Sequence, residues 1–177
     1  MTQLTPPMKK FILHWGEMGT KWGINRTVAQ VHALLYISPE PLNAEDIAKT
    51  LGVARSNVST SLKELQGWGI VKVVHAMGDR RDHFESLKDV WQIFHIVLNE
   101  RKRREVDPTI TILRDTMAEL GKGNANEAYM KQRLHDMLEF FETGTSCYQD
   151  ISRQSPATWR KLAKMGGKIQ KLLGAVV

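Results

Sequence analysis

Apolar residues recur at helical spacing along most of the chain, and one short stretch alternates instead. Phe11, Ile12, Trp15 and Met18 line one face of a first helix over Met8 to Met18, just after Pro6-Pro7. Gly16, Gly19 and Gly23 follow closely; each weakens a helix by up to about 1 kcal/mol, so a break is expected between Gly19 and Gly23. Asn25 is placed to cap a second helix to about Ile37, with Val28, Val31, Leu34 and Leu35 inward. Ser38-Pro39-Glu40-Pro41 stops it, because proline cannot continue the hydrogen-bond ladder. Asn43 caps a short third helix whose first turn holds Glu45 and Asp46, where the dipole favours anions. Ile47, Ala48 and Leu51 give that helix its core face, and Gly52 permits a tight turn into a fourth helix, Ala54 to Trp68.

The alternating stretch comes next. Val71 to His75 and His83 to Leu87 can pair as a hairpin across Met77 to Asp82, where Gly78-Asp79 suits the turn. A long helix is expected from Leu87 or Lys88 through Arg104, with Val90, Trp91, Phe94, Val97 and Leu98 apolar. Asp107-Pro108 reads as a cap and first helical position, restarting a helix that reaches about Leu120. Asn124 to Phe141 aligns Met130, Leu134, Met137, Leu138 and Phe141, and Ser155-Pro156 opens a last helix carrying Trp159, Leu162, Met165, Ile169, Leu172 and Leu173. The expected fold is mostly α: a winged helix-turn-helix with a two-stranded β wing, flanked by dimerisation helices. The divisions are an N-terminal helix and linker at 1–24, the winged module at 25–88, and a helical dimerisation and effector region at 89–177.

Composition narrows the class. No apolar run approaches the roughly 18 residues needed to span a bilayer, and no signal-peptide core follows the N-terminal lysines, so a cytoplasmic protein without membrane attachment is expected. The single cysteine, Cys147, cannot form an internal disulfide or a Cys-based zinc site, and reads as a small buried apolar residue. The six histidines form no metal-ligand motif, and there is no phosphate-cradling Gly loop or nucleophile elbow, so neither an enzyme nor a cofactor or metal is expected. The net charge of +6 suits a polyanionic partner. Its distribution is less direct, because residues 43–88 carry seven basic and six acidic side chains. Placement within the module must therefore carry the argument.

On the fourth helix, Val58, Leu62 and Leu65 share the inward side while Arg55, Ser56, Ser59, Thr60 and Lys63 share another. Small hydroxyls with a cation at either end could lie deep in the roughly 12 Å major groove, and Asn57 falls nearer a phosphate strand. An ordinary solvated helix face would look similar. Arg80 and Arg81 at the hairpin tip add a second element, since an arginine there can enter a narrow minor groove. Asp79 and Asp82 flank the pair, and one of these carboxylates can orient an arginine through a bidentate pair. Double-stranded DNA is the expected partner. The alternative is a winged helix that grips an acidic protein.

IAKTLGVARSNVSTSLKELQGWGIV and the wing GDRRDHFESL resemble MarR-type transcriptional regulators, specifically their GbsR-like branch, as does WGINRTVAQVHALLYISPEPLNAEDIA upstream. About 65 contiguous residues, Trp22 to Leu87, carry the likeness, with a looser match on either side. The family's Asp-x-Arg wing pattern falls on Asp79-Arg80-Arg81, which implies that Arg81 probes the minor groove, Asp79 braces it and Arg80 is a phosphate candidate. Leu87-Lys88 departs from the Leu-Thr of many relatives and puts the cap of the next helix in question. The resemblance further implies a homodimer, paired through first and last helices, that represses a pseudo-palindromic operator. Trp15, Trp22, Trp91, Tyr148 and Trp159 on the flanking helices suit such a seam.

Small-molecule control, with choline-type ligands in some members, is also what the resemblance implies. A quaternary ammonium needs an aromatic cage, which Trp15, Glu17, Trp22, Trp91 and Tyr148 could build at the seam; the same tryptophans could equally pack it. Glu100-Arg-Lys-Arg-Arg104 reads as the solvated C-terminal end of a helix, where the dipole favours cations, or as phosphate contacts beside the wing. The basic last helix has an apolar stripe, so its lysines face solvent, and an amphipathic membrane-surface helix is the other reading.

Overall fold

The computed structural model describes residues 4–75, 77–120 and 125–154, together with Thr158, Lys161 and Met165. The helix expected from Ser155 onward lies outside the described residues apart from those three. The chain divides into two compact units, Met1–Val97 and Leu98–Val177.

In the first unit, α1 (Pro6–Lys21) packs on α2 (Arg26–Ile37). The break expected between Gly19 and Gly23 is present, α1 ending at Lys21, while Gly16 and Gly19 themselves stay helical and serve packing. A Cβ on Gly19 would lie 2.5 Å from the Ala29 Cβ, and one on Gly16 2.8 Å from the Gln30 Cγ. Two residues past the last helical residue, Lys21, Gly23 takes φ 73°. Asn25 then caps α2 as its position suggested, its side chain accepting from the Thr27 N–H at 2.8 Å.

Below α2 lies β1 (Leu42–Asn43), then α3 (Ala44–Leu51) and α4 (Arg55–Trp68). Asn43 accepts from the Glu45 and Asp46 N–H groups, and Gly52 turns the chain at φ 67°. The core is built where these helices meet: Val31, Leu34, Leu35, Ile47, Val58, Leu62, Leu65 and Ile70 are all fully buried. Strands β2 (Val71–Val74) and β3 (His83–Ser86) form the hairpin, with Val71 opposite Ser86 and Val74 opposite His83. The sheet has a third strand absent from the sequence reading. β1 pairs antiparallel with β3, Leu42 opposite Phe84, so β3 is central.

The junction after the wing answers the question raised by Leu87-Lys88. The following helix, α5 (Val90–Arg101), starts later than expected, and Asp89 caps it by accepting from the Trp91 and Gln92 N–H groups at 2.8 and 3.2 Å. Lys88 does something else. Its Nζ donates to the carbonyls of Leu35, Tyr36 and Ser38 at 2.8–2.9 Å, closing the C-terminal end of α2, where the dipole favours a cation.

The unit boundary falls inside α5. That helix runs through a π-helical segment, Lys102–Val106, into α6 (Asp107–Glu119), so the expected stop and restart at Asp107-Pro108 is absent. Asp107 is itself helical at φ −60°, ψ −44°. The wider turn accommodates Pro108, which lacks an N–H and crowds the preceding turn. The charged run before it is therefore not a helix end. Arg103 and Arg104 pair with Glu100 at 2.8 and 3.2 Å, Arg101 with Glu105 at 3.6 Å and Lys102 with Asp107 at 2.6 Å. α7 (Ala125–Ser152) packs on α6, with Ile110 and Leu113 of α6 buried. Cys147 on α7 is exposed, contrary to expectation. The neighbouring Tyr148 is more buried and donates to the Asn99 Oδ1 at 2.9 Å, which leaves Cys147, 100° away, on the outer side.

Candidate nucleic-acid interface

Helix α4 is oriented by its apolar side. With Val58, Leu62 and Leu65 in the core, Arg55, Ser56, Asn57, Thr60 and Lys63 are left exposed and Ser59 half-buried. Ser61 turns inward instead, and its hydroxyl donates to the Asn57 carbonyl at 2.8 Å. Ala54 gives the helix no side-chain cap. Among the described residues neither Arg55 nor Lys63 has an ion-pair partner, so both charges are available to an outside anion. Lys49 and Lys72 are different, being paired with Glu45 at 3.1 Å and Glu85 at 2.8 Å.

At the wing tip Gly78 adopts φ 84°, and Asp79 folds onto Arg81. The Arg81 Nε donates to both carboxylate oxygens at 3.0 and 3.1 Å, Nη2 donates to Oδ2 at 2.6 Å, and the Arg81 backbone N–H donates to Oδ1 at 3.0 Å. These bonds hold the Asp79 carboxyl well below the usual carboxylate range, and the carboxylate in turn raises the Arg81 guanidinium. His83 supports the turn, its Nδ1 lying 3.0 Å from the Arg81 carbonyl. Of the two flanking carboxylates, Asp79 is the one that engages the arginine, while Asp82 lies 3.8 Å from His75. Arg81 keeps Nη1 and one Nη2 hydrogen for another partner. Arg80 is exposed, with no ion pair among the described residues. Helix face and wing tip thus present cations from one compact unit, one arginine pre-oriented.

Residues 22–82 match the family model described as MarR family. That match spans the winged module, about a third of the chain. Among curated proteins it is similar to the HTH-type transcriptional repressor GbsR of Bacillus subtilis (strain 168), 24% identical over 68% of this chain and 67% of that one. It is also similar to the HTH-type transcriptional repressor OpcR of the same organism, 21% identical over 77% and 82%. The crystal structure of a transcriptional regulator shares its fold, with TM-score 0.65, 20% identity and coverage of 83% of this chain and 96% of that one. The chain thus carries a winged helix similar to that of MarR-family regulators, and the relatives named here are transcriptional repressors rather than enzymes.

The five residues proposed as a ligand cage are not gathered at one place within either unit. Trp15 and Trp22 line a cavity in the first unit, whereas Glu17 is exposed and neither it nor Trp91 is among the lining residues. Tyr148 belongs to the second unit. Two residues that sequence reasoning passed over stand out at this cavity: His32 in its wall and Lys88 nearby. A lone histidine within the apolar stripe of α2 was the available signal for the first; nothing local marks the second.

Proposed function

We propose that this chain is a MarR-type transcriptional regulator that binds double-stranded DNA as a cytoplasmic homodimer and represses a pseudo-palindromic operator. In this reading α4 enters the major groove with Arg55, Ser56, Ser59, Thr60 and Lys63, Asn57 faces the phosphate strand, Arg81 reaches the minor groove and Arg80 meets phosphate. The observation that carries it is Arg81, held bidentately by Asp79 with N–H groups to spare, beside an α4 face whose two cations have no internal partner among the described residues. Repression is taken from the named repressors the chain is similar to, and a two-fold dimer is the arrangement that would present two such reading heads to a pseudo-palindrome. A cytoplasmic site agrees with the described residues, where no helix is long and apolar enough to cross a membrane.

A small-molecule effector completes the reading: bound to one form of the dimer, it would change the separation of the two reading heads and release the operator. The test pairs sedimentation, to establish a dimer, with fluorescence anisotropy on a selected duplex and a scrambled control. Arg81→Ala is expected to weaken the selected duplex by about 5- to 150-fold, with a smaller effect on the control. Equal affinity of Arg81→Ala and the unaltered protein for the selected duplex would remove the wing from the interface.

A further inference from the structure

His83 begins β3, and both nitrogens of its ring face the wing tip. Its side chain is only 16% exposed, with Nδ1 3.0 Å from the Arg81 carbonyl and Nε2 3.6 Å from Oδ2 of Asp79. A carbonyl only accepts, so the hydrogen of the neutral ring sits on Nδ1. Nε2 is then a lone pair turned towards a carboxylate, two acceptors with no hydrogen between them. Protonation places a donor on Nε2 and makes this contact charge-assisted. The same oxygen, Oδ2, accepts from Arg81 Nη2 at 2.6 Å and from Nε at 3.1 Å, so His83 and Arg81 address one carboxylate.

The other charged groups around His83 are occupied. Asp82 lies 3.8 Å from His75, and Glu85, two residues along the same face of β3, pairs with Lys72 at 2.8 Å. Opposite His83 on β2 and β1 stand Val74 and Asn43, neither of which ionises. At the start of α3, Asp46 accepts from the Asn43 side chain at 2.7 Å and Glu45 pairs with Lys49. The charges of Asp79, Arg80, Arg81 and Asp82 cancel, which leaves the wing tip without net charge until His83 is protonated.

We propose that His83 is a positioning residue for the wing arginine, its protonated ring taking a share of the Asp79 carboxylate and strengthening the wing's hold on DNA. With the histidinium balancing Asp79, the Arg81 charge is left for the duplex, and the tip gains one positive charge. The DNA half of the proposal rests on the regulatory reading above; the ring contact does not.

The contact is tested without DNA, by nitrogen NMR of the ring in the full chain. At high pH the neutral His83 ring is expected as the Nδ1–H tautomer, and the Nε2–H tautomer would overturn the proposal. DNA binding is read by fluorescence anisotropy on a selected duplex at pH 8 and pH 6, over a series of salt concentrations. His83→Asn is the comparison, because its amide nitrogen stands close to the place of Nδ1 and can take no proton. From pH 8 to pH 6 the unaltered protein should gain about three- to tenfold more affinity than His83→Asn, with a salt slope steeper by up to about 1. A histidine that only shapes the turn would shift affinity equally at both pH values and leave the slope alone. His75 is present in both proteins, so its own titration cancels from the comparison. An acid-side gain in His83→Asn equal to that of the unaltered protein overturns the proposal. A full chain that selects no duplex at either pH overturns the regulatory reading and this use of His83 with it, while the tautomer decides the ring contact on its own.

Discussion

Replacing His32 by Phe should change how the stability of this protein depends on pH. The unperturbed histidine titrates near 6.5, and in the folded chain burial and Lys88 lower this to about 4. A base whose folded pKa is depressed stays neutral in the native state while the unfolded chain takes up a proton. Stability is therefore lost as pH falls through the window from 6.5 to about 4, and the loss levels off below it. At about 1.4 kcal/mol per pKa unit, native His32 penalises folding by about 3 kcal/mol at the acid end of that window. Against a total stability on the order of 5–15 kcal/mol, such a loss is easily measured. The assay is urea unfolding of both proteins at pH 7.5, 6, 5 and 4, at one protein concentration because a dimer's stability depends on it. Carboxylates titrate in both proteins, so the difference between the two curves isolates His32. The difference should grow by about 3 kcal/mol in favour of His32→Phe between pH 7.5 and pH 4. Parallel curves would mean that His32 is not held neutral by burial in the native state.

Three further outcomes follow from the same geometry. Asp79→Asn leaves Arg81 in place but unbraced, and should reduce discrimination between a selected and a scrambled duplex by about two- to tenfold, read by fluorescence anisotropy; the effect should disappear in an Arg81→Ala background, and an effect that persists there would separate Asp79 from Arg81. Lys88→Met removes three hydrogen bonds from the end of α2, offset by relief of the burial that lowers the Lys88 pKa. A net loss of about 1 kcal/mol in urea unfolding is expected, and an unchanged midpoint would show the bonds contribute nothing. Gly19→Ala forces a methyl to within 2.5 Å of the Ala29 Cβ and should destabilise by about 1–3 kcal/mol, whereas a helix-propensity account predicts stabilisation.

What could be read from the chain alone was what is decided locally. Asn25, Asn43 and Gly52 act at their own helix ends, and the inward side of α4 follows from the spacing of Val58, Leu62 and Leu65. The wing was legible for the same reason, because Asp79 and Arg81 are two residues apart. Features set by distant partners were not. β1 is only two residues long and exists because β3 lies beside it. Lys88 bonds to carbonyls some 50 residues away, so no local pattern marks it. Asp107-Pro108 shows a local rule overridden, since continuity through α5 and α6 is kept by a π turn where a cap and restart were available. The break between Gly19 and Gly23 was legible, but the packing role of Gly16 and Gly19 was not, because close approach to α2 is something propensity does not register. Cys147 was assigned to the interior from residue type alone, and the helix rotation that turns Tyr148 inward leaves it outside.

The central claim is that α4 and the Arg81 wing of two copies read one symmetric operator. It is tested most directly by selecting bound duplexes from a random DNA pool with the full-length protein and sequencing the survivors. The account predicts a two-fold symmetric consensus whose half-sites lie about 34–36 Å apart, one helical turn, with enrichment abolished in a protein carrying Arg55→Ala, Lys63→Ala and Arg81→Ala together. A pool that yields no consensus, or one with no symmetry, would contradict it.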